Sequence, residues 1–203
     1  MSVRTKVELS IVAAVLLGGV LVCMSLLRGG FSARDEPSAI EEFMAQRTRR
    51  LAIPRAARET RNPVAPSQEV LVDAMAHFAD HCATCHGNDG RGQTEIGQNL
   101  YPKAPDMQLA TTQALSDGEI FYIIHNGIRL TGMPAWGEDP PEDDLDSWKL
   151  VHFIRHLPDI SSEEIEEMKS MNPLSRRELE EQEEMEEFLN GGAATPSPSQ
   201  HKR

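Results

Sequence analysis

The sequence predicts an all-α protein, and three observations carry that expectation. Leu9 to Leu27 is an uncharged apolar run whose length, at about 1.5 Å per helical residue, suits the hydrocarbon core of a bilayer. Apolar residues recur at helical spacing through Val70, Leu71, Ala74, Met75 and Phe78, and again through Leu145, Trp148, Val151 and Phe153. Between those two stretches, Ser116-Asp117-Gly118-Glu119 has the form of a capping box, in which a serine and the glutamate three residues on satisfy orphan backbone N–H groups at a helix start.

Taken in order, the chain opens on a short segment, 1–8, in which Arg4 and Lys6 precede the apolar run 9–27. A cleaved signal peptide competes with an uncleaved anchor for this stretch. The run exceeds an ordinary signal core, and Phe31-Ser32-Ala33 places a large aromatic where cleavage wants a small residue, so a transmembrane anchor is the expectation. Arg28 and Arg34 nearly balance Arg4 and Lys6, so charge alone does not orient it. Residues 28–66 read as a tether. Ile40, Phe43, Met44 and Leu51 give a loose helical pattern over Asp35 to Arg50, after which Pro54, Pro63 and Pro66, interleaved with Arg55, Arg58 and Arg61, interrupt regular structure. A solvated spacer is the expected role and a docking arm the alternative.

Composition adds exclusions. Of the 203 residues 39% are hydrophobic, below the roughly 45–50% of compact globular chains, so part of the chain lies outside any core. The net charge is −12 with no basic cluster interleaved with aromatics, which argues against a nucleic-acid partner. Residues 67–158 and 159–190 each carry −9. The second stretch is expected to form an acidic helical tail with Leu179 and Phe188 as weak apolar points, either a solvated helix or a docking element for a basic partner. Residues 191–203 are expected to be disordered.

Chemistry begins at Cys82-Ala83-Thr84-Cys85-His86. Two cysteines separated by two residues and followed at once by histidine form the attachment signature of c-type haem. On one helical turn the two thiols reach the two vinyl groups of the porphyrin, and the adjacent imidazole is aimed at the iron. A bare CxxC also serves as a redox disulfide or half a zinc site, but no second CxxC is present to complete the latter.

From about Gln68 to Pro158 the chain resembles a class I cytochrome c domain. The helical pattern before the motif, the glycine-rich run His86-Gly87-Asn88-Asp89-Gly90-Arg91-Gly92 and the segment Thr131-Gly132-Met133-Pro134-Ala135-Trp136 carry the likeness. The resemblance implies one covalent haem c on Cys82 and Cys85, with His86 and Met133 as axial ligands of the iron. Met107 is the rival for Met133, and His125 is read as a polar group near the haem edge rather than a ligand. It also implies a proline carbonyl orienting the His86 imidazole, for which Pro102 and Pro105 both qualify, and a crossing of the first and last helices for which Phe78 and Trp148 are candidates. His152 and His156 are spaced to share a metal, although a solvated face is the expected reading.

With histidine and methionine on both axial positions no iron site is left open, and the thioether favours the ferrous state. The expectation is therefore an electron carrier, not an enzyme, of positive potential. Its partners would be redox proteins, met either as subunits of a respiratory membrane complex or by a tethered shuttle. A haem-based sensor or a peroxidase-like protein with a labile sixth ligand is the alternative. Family haem attachment occurs outside the bacterial cytoplasmic membrane, which implies a single-pass inner-membrane protein with its haem domain on the periplasmic face and residues 1–8 in the cytoplasm.

Overall fold

The structure, a computed structural model, describes residues 2–29 and 32–189, so the stretch 191–203 expected to be disordered lies outside the described residues. Every regular element among them is helical: α1 (Val3–Gly29), α2 (Ala39–Ala52), α3 (Arg55–Glu59), α4 (Gln68–His77), α5 (Ala83–His86), α6 (Glu95–Gln98), α7 (Ala110–Gln113), α8 (Asp117–Asn126), α9 (Leu145–His156), α10 (Ser162–Lys169) and α11 (Arg176–Leu189). α1 extends past the uncharged run at both ends. Arg4, Lys6 and Glu8 are themselves good helix formers, and Arg4 pairs with Glu8 one turn on at 3.2 Å. The stretch Val3–Ser25 is long and apolar enough to cross a membrane, and none of it is buried within the protein.

The core forms where α4 crosses α9. Ser67 caps α4 by accepting the Val70 N–H, and the face Ala74, Met75, Phe78 and Ala79 is buried against Val151, Phe153 and Ile154. Phe78 and Phe153 meet at 4.8 Å between ring centroids. Trp148, the other candidate for the crossing, instead stacks on Phe121 of α8 at 4.0 Å and 9°, because α8 lies against the N-terminal half of α9. The expected capping box of α8 is present, with Glu119 N–H donating to Ser116 and Ser116 N–H donating to Glu119. Arg155 of α9 fastens the α7–α8 turn by donating to the Asp117 carboxylate and to the Gln113 carbonyl.

The proline-punctuated stretch is packed on this core, not held off as a spacer. Ile53 is buried and α3 lies against α8. Gly118 makes that approach feasible, since a Cβ there would overlap the Ala57 carbonyl oxygen. Prolines remove backbone donors and leave neighbouring polar groups to find partners elsewhere. Here they are found on the core: Asn62 donates to the Trp148 carbonyl at 2.9 Å, Ser116 to the Arg58 carbonyl at 2.8 Å, and His152 Nε2 to the Val64 carbonyl at 2.8 Å. His152 and His156 therefore neither share a metal nor form a solvated face. His156 pairs with Glu164 of α10 at 2.8 Å, and no cluster of three or more His, Cys, Asp or Glu suited to a metal occurs among the described residues.

The acidic tail is divided. α10 begins at a capping box of Ser161 and Glu164, inserts Met168 into the core with no exposed surface, and is followed by Asn172, which exchanges hydrogen bonds with Asn88 at 2.8 and 3.1 Å. α11 is different, with Leu179 and Met185 both exposed. Truncating a fully buried side chain removes its transfer energy and leaves a cavity. We expect Met168→Ala to lower unfolding stability by about 2–5 kcal/mol in a urea titration; a loss under about 0.5 kcal/mol, the range of surface substitutions, would mean that α10 is not packed.

Candidate functional site

α4 does not run straight into the CxxCH motif. Over Phe78–Cys82 the helix widens by one residue, closed by an Ala83 N–H donated to the Phe78 carbonyl five residues back, and α5 then carries the motif to its end at Gly87, where φ is 72°. The Gly92 N–H donates to the His86 carbonyl, and Thr94 donates to the Cys85 carbonyl at 2.9 Å. The glycine-rich loop and α6 thus hold the outer side of the motif, and its inner side faces a cavity.

That cavity has a volume of about 530 Å3, within the range of sites that enclose a sizeable ligand. Cys82, Cys85, His86 and Met133 all line it. Met107, the rival sulfur, is buried in the core behind the cavity and takes no part in its lining. The loop bearing Met133 is pinned at both ends: Ile128 N–H donates to the Met133 carbonyl, and Trp136 and Gly137 N–H groups donate to the last carbonyls of α8, those of Ile124 and His125. His125 is not at the cavity. Its Nδ1 lies 2.6 Å from Asp144 Oδ2, both residues are buried, and Asp144 also caps α9 by accepting the Ser147 N–H at 3.0 Å. The expected polar group beside the haem is instead a buried pair that ties α8 to α9 beneath the loop.

His86 is 9% exposed, and burial pushes its imidazole down to about 4, so the ring is neutral at physiological pH. Its Nδ1 is enclosed and has no hydrogen-bond partner, hence neither Pro102 nor Pro105 supplies the expected carbonyl bond, although both line the cavity. The ring nitrogen left to face the cavity is Nε2. Burial, and after it the neighbouring Cys85 thiol, pushes the Cys82 thiol up to about 12; both cysteines are free. Two free thiols, a neutral imidazole and a thioether lining one cavity are the donor set that a covalently held haem needs.

Several lining residues were not singled out in the sequence. Tyr101 and Lys103 lie on the cavity between the motif and α8, and Glu41, Ala45, Gln46 and Arg49 of α2 form a further wall. Tyr101 donates to Glu41 at 3.1 Å and Lys103 pairs with Glu36. Bonds from Ser38 first, and then from Tyr101, hold the Glu41 carboxyl below the usual range.

An all-helical core built on the crossing of α4 and α9, with CxxCH after the first helix and a Met-bearing loop lining the same cavity, is consistent with a class I c-type cytochrome domain. Residues 71–154 match the family model described as Cytochrome C oxidase, cbb3-type, subunit III. This stretch therefore resembles a cytochrome c domain, a type that binds haem c covalently and serves electron transfer. No curated protein matches the chain. α1 to α3, α10 and α11 lie outside the matched stretch.

Proposed function

We propose that this chain is a membrane-anchored carrier of single electrons, with residues 67–158 as a domain for one haem c and α1 as an uncleaved anchor. The observation that carries the reading is the convergence of Cys82, Cys85, His86 and Met133 on one cavity. Cys82 and Cys85 would hold the group through thioether bonds to its two vinyl substituents. His86 Nε2 and the Met133 thioether would ligate its iron, and the hydrogen bonds of the Met133 loop to the end of α8 keep that residue in place. The bound group supplies the one-electron iron couple, and the soft thioether biases it toward the ferrous state. With His86 and Met133 both ligating the iron, no position would be left for a substrate, which separates this reading from a sensor or a peroxidase.

The partner is a redox protein of a respiratory membrane complex, in keeping with the oxidase-subunit name of the matching family, and the haem domain sits on the periplasmic face of the inner membrane. A fixed subunit suits the chain better than a long-reaching shuttle. Because 53–66 is packed on the core, α2 lies on the cavity and Glu36 is held by Lys103, the connection from α1 shrinks to residues 30–35, which span about 20 Å at most. Residues 1–8 lie in the cytoplasm.

Replacing both Cys82 and Cys85 with Ser should release all haem to acid-acetone extraction; retention in the double variant would end the assignment. Met133→His should lower the reduction potential by roughly 0.2 V, a fraction of the ~0.8 V over which axial ligands act, and remove the weak near-infrared iron–thioether band. Survival of that band in Met133→His and its loss in Met107→His would move the ligand to Met107. The exposed acidity should also steer a basic partner. Exchange with a basic soluble cytochrome should slow as salt rises, since the Debye length falls to about 8 Å at 0.15 M, and deleting Glu178 to Arg203 should flatten the dependence in part. A stopped-flow rate indifferent to salt would assign the acidity to solubility alone.

A further inference from the structure

α2 is amphipathic in an inverted sense. Its polar face, Glu41, Glu42, Gln46 and Arg49, is turned to the haem cavity. Its apolar face is turned away from the protein: Ile40 is 76% exposed, Phe43 55%, Met44 56% and Leu51 83%. On a helix of 3.6 residues per turn, positions 40, 43, 44, 47 and 51 share one side and 41, 42, 45, 46 and 49 the other. A helix that only closed the cavity, or only served as a solvated arm, gains nothing from four large apolar side chains in water; burying each would be worth about 1.5–3 kcal/mol elsewhere.

We propose that this face lies on the bilayer surface, embedded among anionic phospholipid headgroups, so that α2 is a plate held between the membrane and the haem domain. Position, composition and orientation support it. Nine residues separate the end of α1 from the start of α2, so that start cannot leave the membrane surface by more than about 30 Å. Arg47 sits in the middle of the apolar stripe with its guanidinium 5.2 Å from the Phe43 ring centroid, and Arg50 borders the stripe. Apolar residues flanked by arginines are the composition of interfacial helices, and a long arginine stem lies along apolar surface while its head reaches phosphate. The opposite face is committed to the domain through Glu41 to Tyr101, reinforced by Glu36 to Lys103 just before the helix. Lipid contact on one side and the cavity on the other then fixes which way the haem domain faces.

The proposal rests on α1 being the anchor, and one experiment separates the two. In haem-loaded full-length protein carrying Cys23→Ser, single cysteines at Val15→Cys, Met44→Cys, Leu51→Cys and Gln46→Cys are labelled with bimane in nanodiscs containing phosphatidylglycerol. Fluorescence is compared between plain and brominated acyl chains, a ratio in which quenching by the haem cancels. We expect deep bromines to quench the label at 15, and shallow bromines to quench at 44 and 51 by about twofold, as for a helix buried at headgroup depth, while 46 is unaffected. Quenching at 15 without quenching at 44 and 51 would overturn the proposal and leave the anchor standing, whether water or another protein covers the face. Equal quenching at 46 and 44 would overturn the orientation, and no quenching at 15 would overturn the anchor itself. Replacing the phosphatidylglycerol with phosphatidylcholine should weaken quenching at 44 and 51; an unchanged ratio would overturn the anionic preference.

Discussion

Two phenyl rings set the frame for everything else. Phe78 and Phe153 are each almost wholly buried and meet 4.8 Å apart where α4 crosses α9, a contact worth about 0.5–1.5 kcal/mol beyond the burial of the rings themselves. The CxxCH motif is hung from α4. The opposite wall of the cavity is reached from α9 through Trp148 on Phe121 of α8 and through Asp144 on His125, and the Met133 loop is bonded to the end of α8. Both walls are thus referenced to one crossing, so the separation between the imidazole and the thioether is set by core packing and not by the loop alone.

The parts of the site that could be read from the sequence are those encoded over a few neighbouring residues. CxxCH, the capping box at Ser116 and the glycine and proline on either side of Met133 each state their geometry locally. What could not be read is encoded by partners far along the chain. Asn62 looks like any linker asparagine until its bond to the Trp148 carbonyl, 86 residues on, is seen. Gly118 looks like a helix-weakening residue until α3 is laid against it. Met168 sits in a stretch so acidic that a single buried thioether does not show in the pattern. His152 and His156 suggested a shared role by spacing, but each answers to a different neighbour, and spacing carries no information on that.

The same distinction governs α2. Its apolar stripe was visible as a loose periodicity, and periodicity reports that a helix has two unlike faces without saying which one the protein covers. The structure turns the polar face to the cavity, where Glu41 accepts a hydrogen bond from Tyr101. Together with the packed proline stretch, this makes the segment between anchor and haem domain a structural member.

The widened turn at Phe78–Cys82 acts as a phase shift between two jobs of one rod. Up to its first residue the helix must present Ala74, Met75 and Phe78 to α9; from its last residue onward it must present two thiols and an imidazole to the cavity. In an unbroken α-helix these two sets would be locked at a fixed angle of about 100° per residue, and improving one alignment would spoil the other. One extra residue in a single turn resets the angle. Lengthening or shortening this segment by a residue would turn Cys82, Cys85 and His86 by about 100° relative to Ala74 and Met75 upstream, so the packed face and the cavity-lining face could not both be kept.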